Sequence, residues 1–100
     1  MPKQPEGKLT KKIRNYLESR GAFVTNLHGG DNVFQEVGLP DLMGCYKGFF
    51  LGLEVKTDAG QPSPRQLAVI RRIHLAGGVG EIVRSVDDVR TILAKLEKKR

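Results

Sequence analysis

The sequence predicts an α/β fold, a mixed β-sheet flanked by helices in the order αβββαβα. Three observations carry this. Apolar residues recur every three to four positions near both ends of the chain, as on amphipathic helices. Three runs of strand formers lie between, the last two joined by a two-residue Lys-Gly turn. A strand-helix-strand stretch follows, and such a crossover pairs its strands in parallel. The chain has 100 residues, 39% of them apolar, enough for one modest core. A single domain is expected over residues 1–100.

Residues 6–20 form the first predicted helix. Leu9, Ile13 and Leu17 make its apolar stripe and Tyr16 widens it. Pro5 suits a first helical turn and Gly21 a stop. The stretch AFVTNL (22–27) reads as a strand, and HGGDN (28–32) as a loop. VFQEVG (33–38) leaves loop and short strand both open. Pro40 begins a strand over 40–46, where Cys45 reads as core. Lys47-Gly48 turns the chain into a strand over 49–57.

After the loop TDAGQPSP (57–64), Ser63 is placed to cap a helix with Pro64 in its first turn. Gln66, three residues on, completes a capping box. That helix should turn Leu67, Ile70 and Ile73 inward and end at Gly77-Gly78. GEIVRS (80–85) is a short strand. Ser85 and Asp88 open a last helix bearing Val89, Ile92, Leu93 and Leu96, with a basic tail at about 95–100.

The formal net charge of +6 points to a polyanionic partner, nucleic acid or an anionic membrane surface; simple solubility is the plainer account. Cys45 is the only cysteine, which excludes an internal disulfide and a zinc site built on several thiolates. No apolar run approaches the roughly 20 residues of a membrane helix, and the N-terminus lacks the apolar core of a signal peptide. A cytoplasmic protein with no membrane partner is expected.

The stretch FFLGLEVKTDAG (49–60) carries the chemistry. Side chains alternate across a strand, so Phe49, Leu51, Leu53 and Val55 share one face while Phe50, Gly52, Glu54 and Lys56 share the other. Glu54 and Lys56 project the same way, about 6.6 Å apart along the strand. Asp41 begins the preceding strand of the hairpin, and a turn at 47–48 pairs position 41 roughly with 54. Two neighbouring carboxylates repel, and a divalent cation relieves the repulsion. Mg²⁺ takes oxygen ligands, commonly one or two carboxylates with waters and substrate phosphates. Asp41 and Glu54 are therefore expected to bind Mg²⁺ or Mn²⁺, with the Val55 backbone carbonyl as a further ligand. Lys56 would orient the attacking water and offset charge developing on the phosphate. Taken alone, Glu54 and Lys56 also fit a surface ion pair at a strand end.

Pro40-Asp41 with Glu54-Val55-Lys56 resembles the catalytic core of the PD-(D/E)XK nuclease superfamily. The wider context resembles its VRR-NUC branch in the compact stand-alone form of phages. GLPDLMG (38–44), LEVKTDAGQPSPRQ (53–66) and AGG (76–78) carry the likeness, which spans roughly residues 6–90. It implies a restriction-endonuclease-like core and a metal-dependent DNA endonuclease that leaves 5′-phosphate and 3′-hydroxyl ends. It also implies a supporting glutamate on the first helix, for which Glu6 fits, and a glutamine near the site, for which Gln66 fits. Glu6 equally suits the helix dipole, and Gln66 the capping box.

Lys8, Lys11, Lys12 and Arg14 on the first helix, with Arg65, Arg71 and Arg72 on the second, are the expected DNA contacts. The plainer account is a solvated helix face. Cutting two strands needs two sites, so a two-fold homodimer is expected. Its substrate would be duplex or branched DNA such as a four-way junction, by family analogy. His28 and His74 lack ligand-spaced partners, Asp31 and Glu36 are not assigned to a second metal, and Asp87 and Asp88 read as helix-start residues. Two other readings stand beside the nuclease: a non-catalytic DNA-binding module on the same scaffold, and a small basic RNA- or ribosome-associated protein.

Overall fold

The computed structural model describes residues 5–27 and 37–99. Its elements are α1 (Pro5–Ser19), β1 (Phe23–Asn26), β2 (Leu42–Tyr46), β3 (Phe49–Val55), α2 (Pro64–Leu75), β4 (Val79–Val83) and α3 (Val86–Lys98). The sheet runs β1-β2-β3-β4, antiparallel except for β3 and β4, which α2 links in parallel. The α/β class, the mixed sheet and the element order are those predicted. Strand ends differ by one or two residues. β2 starts at Leu42 rather than Pro40, because proline has no N–H to give a ladder. The basic stretch 95–98 is the last turn of α3 rather than a tail.

Alternation assigns each residue of the sheet to a face. Leu51, Leu53 and Val55 join Val24, Leu42, Tyr46 and Val83 in a core closed by Ile13 and Leu17 of α1 and Val89, Leu93 and Leu96 of α3. Each such side chain stabilises the fold by about 1.5–3 kcal/mol on burial. The far end of this layer is tied by polar groups. The Tyr46 hydroxyl donates to Glu97, and Arg20 donates to both Glu97 and the Tyr16 hydroxyl, each at 2.8 Å.

The opposite face belongs to α2. Gly52 and Gly80 are ladder partners, and both lie close beneath α2. A Cβ on Gly80 would collide with the Ile70 carbonyl oxygen, and one on Gly52 would lie 2.6 Å from Ile73 Cδ1. Their bare backbones let α2 lie directly on β3 and β4. The β1–β2 half of this face is left open, and Phe23, Cys45 and Phe50 form an exposed row across three strands. Two expectations are corrected here. Cys45 is exposed rather than core, because it points to the half that α2 does not cover. Leu67 is 47% exposed, because Ile70 and Ile73 make the contact over the glycines. Among the described residues no helix is long and apolar enough to cross a membrane.

Candidate active site

The Lys47-Gly48 turn sets the register. Both residues have left-handed backbones, φ 49° and 86°, as a two-residue hairpin turn requires. Tyr46 then pairs with Phe49 and Leu42 with Leu53. Continued one step beyond the last pair, this register sets position 41 opposite 54. The Asp41 carbonyl accepts from the Leu27 N–H at 3.0 Å, fixing its backbone to the end of β1.

Pro40 lies where the β2–β3 ladder ends, next to Asp41. The Lys56 N–H points to β4 and donates to the Val83 carbonyl at 3.0 Å, so the N–H and carbonyl of Val55 point the other way, to β2. The ladder position opposite Val55 is Pro40, which has no N–H for the Val55 carbonyl. The Val55 N–H donates to the Asp41 side chain, at Oδ2, at 2.9 Å. Pro40-Asp41 and Glu54-Val55 are thus locked together by the point at which the ladder stops.

Glu54 lies on the α2 side of β3 with only 1% of its surface exposed. Lys56 Nζ is 3.3 Å from Glu54 Oε2, and its side chain is 14% exposed. This is a buried pair, not the surface ion pair of the plainer account. Among the described residues no three or more His, Cys, Asp or Glu side chains gather into an ion site. The expected donors, Asp41, Glu54 and the Val55 carbonyl, would all be oxygen. That suits a hard cation that keeps several waters, and fits Mg²⁺ or Mn²⁺.

Glu6 and Lys56 meet at Gly60. A Cβ there would lie 3.3 Å from Lys56 Cδ and 3.5 Å from Glu6 Oε2, so the first turn of α1 brings Glu6 alongside the lysine stem. Gln66 sits in the first turn of α2. Its Oε1 accepts from the Ser63 N–H at 2.8 Å, and its own N–H donates to Ser63 Oγ at 3.1 Å, the expected capping box. That turn leans on the glycine-proline-aspartate segment: a Cβ on Gly38 would lie 2.9 Å from the Arg65 carbonyl oxygen.

The basic residues do not form one patch. Lys8, Lys11 and Lys12 are exposed on α1, while Arg65, Arg71 and Arg72 are exposed on α2 across the sheet. Arg14 is half-buried and engaged within the chain, with Nε 3.2 Å from Glu18 and Nη1 2.6 Å from Asn26. The first turns of both lie near the carboxylate-bearing strand ends: Glu6 of α1 beside Lys56 at Gly60, and Arg65 of α2 against Gly38. Asp88 accepts from the Arg84 N–H at 2.8 Å and Asp87 pairs with Arg90, both at the helix start as expected. His28, Asp31 and Glu36 lie outside the described residues.

Sequence reasoning passed over Arg84. Its guanidinium donates to the carbonyls of Thr57 at 2.6 Å and Gly60 at 2.9 Å, in the loop that follows Lys56. An arginine after a strand carries no sequence signal of this, because its acceptors are backbone atoms. Two clefts, of about 610 Å³ between β4, α2 and α3 and about 760 Å³ beside Met43 and Phe50, are lined by neither Asp41, Glu54 nor Lys56.

The sequence matches no family model and no curated protein. A solved structure described as a VRR_NUC domain superposes on this chain with a TM-score of 0.72 and 26% sequence identity. The match covers 89% of this chain and 94% of that one, so the two are alike over the whole domain.

Proposed function

Since this chain belongs to the VRR-NUC family, whose fold is of the nuclease type, we propose that it is a Mg²⁺- or Mn²⁺-dependent DNA endonuclease. The observation that carries the proposal is the meeting of Asp41, Glu54 and Lys56 where the β2–β3 ladder stops at Pro40. Asp41, Glu54 and the Val55 carbonyl would hold the ion. Once bound, the ion supplies Lewis acidity and a more acidic water. Lys56 orients the attacking water and offsets the charge that develops on the phosphate oxygens. Glu6, beside the Lys56 stem, and Gln66, in the helix turn next to the Pro-Asp segment, support the site. Hydrolysis leaves 5′-phosphate and 3′-hydroxyl ends.

Lys8, Lys11 and Lys12 from one helix and Arg65, Arg71 and Arg72 from the other suit a substrate that approaches the end they share, touching both faces of the sheet. A two-fold homodimer would present two such ends to a branched DNA, such as a four-way junction. The uncharged exposed row of Phe23, Cys45 and Phe50 supports that assembly. The single cysteine agrees with a cytoplasmic location.

The test is cleavage of matched linear, flapped and four-way-junction DNA with Mg²⁺, with Mn²⁺ or with a chelator. The expected result is metal-dependent cutting, most of it on the junction. Lys56→Ala should bind as the parent does and cut far more slowly. Tight DNA binding with no cutting under either metal would replace this reading with the non-catalytic DNA-binding module.

A further inference from the structure

We infer that Arg84 is a positioning residue for the reaction, acting on Lys56 and Glu6 through the backbone of the 57–60 loop. The inference rests on the nuclease reading above. Arg84 is anchored at two points before its side chain begins. It follows the last residue of β4, and its own N–H donates to Asp88 Oδ2 at 2.8 Å, while Ser85 caps α3 by accepting from the Asp88 N–H at 3.0 Å. The guanidinium stem therefore starts from a fixed place between a strand end and a helix cap.

From there Nη1 donates to the Thr57 carbonyl at 2.6 Å and the Gly60 carbonyl at 2.9 Å, with the Asp58 carbonyl 3.4 Å away. The Gly60 N–H donates to the Thr57 carbonyl at 3.0 Å, which closes the loop into a turn. Three carbonyls converging on one cationic N–H group hold that turn in a single shape; charge-assisted bonds of this kind are about twice as strong as neutral ones. Gly60 is the wall of the turn that faces the chemistry. A methyl group added there would meet Lys56 Cδ at 3.3 Å, Lys56 Cβ at 3.5 Å and Glu6 Oε2 at 3.5 Å. Lys56 lies one residue beyond β3, so its stem is steered by this wall, on one side, and by the Glu54 carboxylate at its tip. The Arg84 guanidinium bonds to the backbone carbonyls of the loop. It fixes the surface against which the lysine stem rests.

The experiment compares parent, Arg84→Ala, Arg84→Lys and Gly60→Ala in steady-state cleavage of junction DNA, with amide hydrogen exchange of each chain. Misplacing a reacting group by about 1 Å can cost on the order of a hundredfold. Arg84→Ala should lower kcat by about ten- to a hundredfold with KM within about twofold of the parent. Millimolar guanidinium should restore part of that loss, a response that a merely structural role would not give. Arg84→Lys, which keeps a cationic nitrogen with several donors but ends one bond short of Nη1, should fall between. Gly60→Ala presses on the same stem from the loop side and should also lower kcat, which keeps the inference testable if Arg84→Ala fails to fold. Exchange should rise at residues 57–60 in Arg84→Ala while the β3 amides stay protected. Parent-like kcat in both Arg84→Ala and Gly60→Ala overturns the inference, as does parent-like exchange at 57–60 in Arg84→Ala. If the parent itself cuts nothing with either metal, the nuclease reading fails, and the exchange result alone decides whether Arg84 holds the loop.

Discussion

Glu54 is a nearly fully buried carboxylate, and taking a charge out of water costs several kcal/mol unless other groups answer it. Lys56, 3.3 Å away, answers it in part. Removing one partner of such a pair is far more costly than replacing both. Lys56→Met should therefore lower stability by roughly 3 kcal/mol at pH 7, measured by urea unfolding, and adding Glu54→Gln to it should recover most of the loss. Costs that simply add would show that the two side chains are not coupled. Much at this scale was legible in the sequence. Alternation put Glu54 and Lys56 on one face, and the length of the hairpin brought Asp41 to Glu54. The depth of Glu54 was not legible, because it depends on how closely α2 lies on the sheet. Nor was the bond from the Val55 N–H to Asp41, a side-chain contact that alternation does not specify.

The seating of α2 on the sheet depends on two missing side chains. Gly80→Ala would put a carbon against the Ile70 carbonyl, a backbone atom that cannot turn aside. Overpacking of this kind costs about 1–3 kcal/mol, and the urea midpoint should fall accordingly. A midpoint equal to the parent's would mean that α2 does not sit on this glycine. The polar tie joining α1, β2 and α3 makes a second prediction. The Tyr46 hydroxyl is held above its ordinary value of 10.0, first by its hydrogen bond to Glu97 and then by burial. Its folded value exceeds its unfolded one, so its contribution is complete below pH 10 and is lost as pH rises through the folded value. Between pH 9 and 12, parent stability should fall more steeply than that of Tyr46→Phe, measured by urea unfolding at each pH; equal slopes would remove Tyr46 from the effect. All seven described elements and both capping residues of α2 and α3 could be read from the chain, since caps and periodicity are local. Which half of the sheet α2 covers is not local. Cys45 and Leu67 were misread for that reason.

Taken as a whole molecule, the chain carries a net charge of +6, but charge alone does not say where a polyanion lies. The fold splits the expected DNA-binding residues between helices on opposite faces of the sheet and engages Arg14 with Glu18 and Asn26. Replacing Lys8, Lys11 and Lys12 together by alanine should flatten the salt dependence of DNA binding, by up to about 0.9 in log-log slope for each phosphate left without its lysine. Arg14→Ala should leave that slope as it is; the reverse pattern would move the DNA away from the first turns of α1. The central claim is that Asp41 and Glu54 hold one cation between them, and titration with Mn²⁺ followed by the loss of its free electron-spin-resonance signal tests it most directly. Asn at position 41 keeps an oxygen for the Val55 N–H, so the variant should fold and still report on the ion. The parent should bind Mn²⁺ saturably, and Asp41→Asn and Glu54→Gln should each lose that binding. Folded forms of both variants that take up Mn²⁺ as tightly as the parent would contradict the account.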